Sequence, residues 1–164
     1  MPWKTSVLVV ANVTADSDEV LAEMSARAER GPVAFTLLVP AGCCGTEGRD
    51  VASVRLTAAI ERMHASGLQV NGLIGDSDPL AAVHDAWDPR KFDEVIVATL
   101  PTRSSKWFMV DLPHRIERIT DVRVTHVVAS ERRRPFTGMP VPARERPGVL
   151  APLAPLGWGR SDAP

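Results

Sequence analysis

Val7-Leu8-Val9-Val10-Ala11 is an unbroken apolar run. A strand with one face in water alternates apolar and polar residues. An unbroken run fits a parallel strand covered on both faces. The same texture returns in Phe35-Thr36-Leu37-Leu38-Val39 and Glu94-Val95-Ile96-Val97-Ala98, and more weakly in Leu68-Gln69-Val70-Asn71-Gly72-Leu73-Ile74. Val122-Arg123-Val124-Thr125-His126-Val127-Val128 alternates enough to read as an edge strand.

Helix punctuation fills the intervals. Asp16 with Glu19 three residues on has capping-box spacing. Val20, Leu21, Met24 and Ala28 follow at helical spacing, and Gly31-Pro32 ends the pattern. A glycine-bearing loop over 40–49 leads to a second helix marked by Val51, Val54, Leu56, Ala58, Ile60 and Met63, closed at Gly67. Asp78-Pro79 supplies an N-cap and a first-turn proline for a third helix with Leu80, Val83, His84 and Trp87 on one face, ended by Asp88-Pro89. After a loop over 99–110, Asp111 begins a short helix, with Ile116 and Ile119 expected inward. Five strands and four helices in alternation predict a parallel α/β sheet with right-handed crossovers. Ligands of such sheets sit beyond the carboxyl ends of the strands, at the switch point. The candidate cleft is therefore 11–14, 40–45, 75–77 and 99–111.

Composition sets the outer limits. The chain has 164 residues and a formal net charge of −1, enough for one domain with a sizeable core. No apolar run reaches the ~20 residues of a bilayer span. Met1-Pro2-Trp3-Lys4 shows no signal-peptide features, so the expected location is cytoplasmic. Residues 1–130 hold 13 Lys and Arg against 17 Asp and Glu, an acidic balance that argues against nucleic acid as the main partner. Residues 131–164 reverse the sign and carry 7 prolines, too closely spaced for helix or central strand. They read as a Pro/Arg-rich tail, disordered or loosely packed. Its apolar Val149, Leu150, Leu153, Leu156 and Trp158 could dock on the body or on a protein partner, whereas Arg132-Arg133-Arg134 reads as a solvated linker.

Gly75-Asp76-Ser77-Asp78-Pro79, then Asp93-Glu94-Val95-Ile96-Val97-Ala98, then Val124-Thr125-His126-Val127 resemble the universal stress protein family over residues 6–129. The resemblance implies an adenine nucleotide alpha hydrolase-like fold, strand order 3-2-1-4-5, and a homodimer through the fifth strand. It also implies ATP as the ligand of many members. An acid ending the first strand meets the nucleoside, and a Gly-x2-Gly-x9-Gly-Ser/Thr loop after the fourth strand wraps the phosphates. This chain departs on both counts. Asn12 stands in place of the acid, and no glycine occurs between Gly75 and Gly138. Glycine lets backbone amides approach phosphate closely, and Pro101 removes an amide. Asp111, as a cap on the last helix, would compete with an anion for the same amides. Arg103, Ser104, Ser105, Lys106 and Arg115 offer side chains instead. With Asn12, Val13, Pro40, Asp76 and Thr99 they form the candidate ligand site.

Other chemistry is poorly supported. Asp76, Asp78 and Thr99 are spaced like a receiver phosphoacceptor site, but Asn12 and Ser130 stand where the metal-binding acid and the lysine belong, so a turn plus an N-cap is favoured. Adjacent Cys43 and Cys44 read as plain thiols, and Trp107-Phe108-Met109 as an apolar lid. The four histidines lack metal-site spacing, and no nucleophile-base set is legible. The expectation is a non-catalytic binding or regulatory module with a degenerate ATP site. The alternative is an adenine-nucleotide-binding stress protein that grips through Arg and Lys side chains.

Overall fold

The structure is a computed structural model, and it describes residues 3–42, 45–101 and 111–130. The elements run β1 (Thr5–Val10), α1 (Asp18–Glu29), β2 (Val33–Pro40), α2 (Gly45–Ala65), β3 (Val70–Gly75), α3 (Pro79–Ala86), β4 (Glu94–Thr99), α4 (Leu112–Thr120) and β5 (Val124–Val128). The five strands form one sheet in the order β3-β2-β1-β4-β5, and every pairing is parallel. The architecture and strand order are those expected.

Central β1 explains the unbroken apolar run. Val7 and Val9 face a core closed by Val20 and Met24 of α1 and by Ala52, Leu56, Ala59 and Met63 of α2. Leu8 and Val10 face the opposite core, closed by Ala82 and Val83 of α3 and by Leu112 and Ile116 of α4. All four are fully buried. At about 1.5–3 kcal/mol for each such side chain, they contribute on the order of 6–12 kcal/mol. That is comparable to the ~5–15 kcal/mol net stability of a whole domain.

Several local expectations are corrected. The N-cap of α1 is Ser17, whose hydroxyl accepts from Val20 N–H at 3.2 Å, one residue after Asp16. Glu19 instead accepts from the backbone N–H of Ser130 at 3.3 Å. The loop before α2 is shorter than expected, because the helix already begins at Gly45. The buried stripe of α2 is Gly48, Ala52, Leu56, Ala59 and Met63, while Val51 and Val54 face solvent. On α4, Ile116 is buried but Ile119 is exposed. Asp111 holds the N-cap position of α4, its C=O accepting from Arg115 N–H at 3.1 Å, but its carboxylate does not cap the helix. Its backbone is left-handed, with φ of 51°, and its side chain makes no capping bond. Asp78 does cap α3, accepting from Leu80 N–H at 2.9 Å, with Pro79 in the first turn.

Two glycines let helices approach β3 from opposite sides. A Cβ on Gly72 would meet the side-chain ends of Ile60 and Leu56 at 2.6 and 2.9 Å. A Cβ on Gly75 would lie 2.5 Å from Ala82 Cβ and 3.2 Å from its Cα. Flexible side-chain ends can rotate away, whereas an alanine is fixed to its helix. Gly75→Ala is therefore expected to destabilise by about 1–3 kcal/mol through overpacking, and Gly72→Ala by less. Urea unfolding of the two variants measures the difference, and equal losses would contradict it.

Candidate functional site

The site follows from register. β1 pairs Val10 with Leu38 of β2 and with Val97 of β4. Two residues further along, Asn12 lies level with Pro40 and Thr99. Pro40 is paired with Gly75, and Thr99 with Val128. One row across the carboxyl rim thus collects Asn12, Pro40 and Thr99, with Asp76 directly after Gly75. Pro40 and Thr99 are buried, Asn12 and Val13 half-buried, and Asp76 exposed.

The loop leaving β1 is tightly held. Ala15 N–H donates to Asn12 C=O at 3.0 Å and Ser17 N–H to Thr14 C=O at 3.0 Å. The buried Thr14 hydroxyl reaches Ala98 C=O of β4 at 3.4 Å, across the switch point. Two arginines of α2, seven residues and so about two helical turns apart, hold the same loop from above. Arg55 donates to the side-chain oxygen of Asn12. Arg62 donates to the backbone carbonyl of Asp16 and pairs with the Asp18 carboxylate. Neither arginine was legible as a site residue. Each acts on a loop more than 40 positions away in sequence, and on α2 alone both read as solvated charge.

Asp76 and Thr99 are already engaged. Asp76 accepts from Asp78 N–H at 2.8 Å and from the Ser77 hydroxyl at 3.3 Å. The Asp78 N–H holds its carboxyl below the usual carboxylate range, and the charge of Arg49 acts in the same direction. With Asp78 occupied as a cap, this pair is the turn and N-cap favoured over a phosphoacceptor. The Thr99 hydroxyl lies 2.8 Å from Nε2 of His126 on β5. It therefore bonds toward the outer strand rather than toward Asn12. Arg115 is exposed on α4 and makes no side-chain hydrogen bond or ion pair to the other candidates among the described residues. Arg103, Ser104, Ser105 and Lys106 lie outside the described residues, as do Cys43, Cys44, Trp107, Phe108, Met109 and the tail over 131–164.

A groove of about 380 Å³ flanks the outer strand, lined by Asp111, Pro113, His114, Glu117, Val124 and His126. Partial burial lowers the pKa of His126, and the negative charge of Asp111 opposes that shift. Among the described residues, no three His, Cys, Asp or Glu side chains converge as metal ligands, and no helix is long and apolar enough to cross a membrane.

A doubly wound parallel sheet with its polar groups gathered at the carboxyl rim is the architecture of small-ligand-binding α/β proteins. More narrowly, this chain has the adenine nucleotide alpha hydrolase-like fold of universal stress proteins. A universal stress protein in complex with cAMP is similar over 77% of this chain and 98% of its own, at 18% identity and a TM-score of 0.53. The universal stress protein from Archaeoglobus fulgidus in complex with dAMP covers 77% and 99%, at 13% identity and a TM-score of 0.58. A universal stress protein family protein from Arabidopsis thaliana with AMP bound covers 77% and 92%, at 14% identity and a TM-score of 0.53. No protein-family model matches the sequence, and no curated protein matches it significantly.

His126 gives the site a pH signature. Its folded pKa lies below its unfolded value, so the unfolded chain binds the proton first as pH falls. The stability this group contributes is complete above about pH 6.5 and is lost as pH drops below it toward the folded pKa. His126→Gln should flatten that part of the stability profile. A profile from pH 7.5 to 5 that is unchanged by the substitution would contradict the assignment.

Proposed function

We propose that the chain is a non-catalytic, cytoplasmic binding and regulatory module whose carboxyl-rim cleft takes an adenine mononucleotide. The observation that carries this reading is the shared fold. Three proteins with the same architecture hold AMP, dAMP or cAMP, and this chain gathers Asn12, Pro40 and Thr99 on the corresponding kind of rim. A single phosphate suits a chain with no glycine between β4 and β5, because it needs fewer close backbone amides than a triphosphate. Arg103, Ser104, Ser105, Lys106 and Arg115 supply side-chain donors near that loop in sequence. Asp76 and Asp78 serve as turn and cap, which supports binding without turnover.

Thermal unfolding against AMP, cAMP, dAMP, ATP and adenosine tests the reading. Binding to the folded state raises stability by mass action, by about 2.7 kcal/mol at a hundred times Kd. The monophosphates are expected to raise the melting temperature, with ATP weaker and no phosphate released from it. A flat response across the panel would overturn nucleotide binding and leave a module acting through protein contacts.

The module is also proposed to pair as a homodimer through β5. The sheet ends there, and Val128 is half exposed on that edge, which needs covering. Light scattering at micromolar concentration is expected to give twice the 17.7 kDa chain mass, and Val128→Lys to shift the protein toward monomer. A monomeric wild type would refute the pairing.

A further inference from the structure

The outer edge of β5 has a defined hydrogen-bonding register. β5 pairs in parallel with β4, and Ala129 N–H donates to Thr99 C=O at 2.8 Å. Ladder bonds to one neighbour recur at every second residue, so Thr125, Val127 and Ala129 turn their peptide groups toward β4. Val124, His126 and Val128 turn theirs outward, at the end of the sheet. Such an edge is a template for another strand. A second copy, related by a two-fold axis normal to the sheet, presents the same residues in antiparallel order. An axis centred on His126 pairs Val124 with Val128 of the other copy and His126 with its own counterpart. Any slip along the strand leaves at least one of these residues without a partner.

The centred register brings two imidazoles together. Directly opposite residues of an antiparallel pair project on the same face, with Cβ atoms about 4.5–5.5 Å apart. His126 shares its face with Val124, which packs against the core under α3 and α4, and with the half-exposed Val128. The His126 pair is therefore flanked on each side by a contact between Val124 and Val128, in a strip from which pairing excludes water. The Thr99 hydroxyl, 2.8 Å from Nε2, fixes the ring. Among the described residues, the charged groups facing the ring are Asp111, His114 and Glu117. Burial disfavours the protonated imidazole, and Asp111 opposes that influence without outweighing it. Glu117 lies 3.8 Å from His114, its neighbour one turn away. From β4, Thr99 contributes only a hydroxyl. A neutral imidazole pair suits this apolar strip. A charged pair does not, because like charges directly opposite one another repel and both lose water.

We propose that the homodimer is centred on His126, and that protonation of the two facing imidazoles drives the copies apart. This control rests on the β5 pairing proposed above and fixes its register. Pairing removes water from a group whose charged form already suffers from burial, so the dimer binds protons less readily than the separate chains. Association is therefore at full strength above about pH 6.5 and weakens as pH falls below it.

Sedimentation velocity of the full chain from pH 7.5 to 5 tests it, using wild type, His126→Gln and His114→Gln. Each pKa unit by which pairing depresses the imidazole weakens association about tenfold per copy, so about a hundredfold for the pair. The wild-type dimer Kd is expected to rise at least about tenfold across this range. His126→Gln keeps a group that can hydrogen-bond Thr99, and its dimer Kd should change by less than about twofold. His114→Gln should follow wild type, which separates the two imidazoles of the groove. Circular dichroism at each pH checks that the chains stay folded as they separate. Dissociation that accompanies unfolding and persists in His126→Gln counts against the proposal. A wild-type dimer indifferent to pH, or a His126→Gln dimer that dissociates as wild type does, overturns it. In either case the β5 pairing still stands if Val128→Lys gives monomer. A wild type that is monomeric at every pH overturns both the pairing and its control.

Discussion

The molecule depends on the burial of β1 from both sides. Successive side chains of a strand point in opposite directions, so Val7 and Val9 enter one core while Leu8 and Val10 enter the other. A polar residue at any of these positions would lie in an apolar layer without a partner. The strand must therefore sit centrally, flanked by β2 and β4, with α1 and α2 on one face and α3 and α4 on the other. Once β1 is central and its neighbours diverge to either side, a crevice at its carboxyl end follows from topology. The loop that leaves this strand lines it.

Element order was legible because the physics that sets it is local. Unbroken apolar runs mark strands wrapped by helices, and Asp78-Pro79 marks a helix start by chemistry confined to adjacent residues. The failures are equally physical. Asp16 and Ser17 are both good caps, and the choice between them depends on where the chain leaves β1. Val51 and Val54 mimic a buried face on α2, but the buried face carries Gly48, Ala52, Leu56, Ala59 and Met63. Asp111 looked like a cap by composition, yet its left-handed backbone leaves the side chain unused.

The rim divided in the same way. Asn12, Pro40, Asp76 and Thr99 share the carboxyl end of the sheet, because residues that follow strands must gather at one end of a parallel sheet. Their partners were not foreseeable. Thr99 bonds to His126 and Asn12 to Arg55, contacts spanning 27 and 43 positions. Sequence spacing carries no information on such pairs. Family resemblance pointed to missing features, an acid and a run of glycines. Only the folded arrangement shows which side chain occupies the space beside Asn12.

The two rims of the sheet are built differently. At the amino rim, Asp93 accepts from Ser6 N–H at 2.8 Å, and Arg27 grips Glu94 with two hydrogen bonds of 2.8 and 3.0 Å. The side-chain hydrogen bond to Glu94 holds the pKa of that guanidinium above its usual value. These bonds tie β1 and α1 to the start of β4, far from the cleft. With the sheet clasped at that end, residues of the opposite end can drift without loosening the architecture. The architecture can then persist while the side chains of the mouth change.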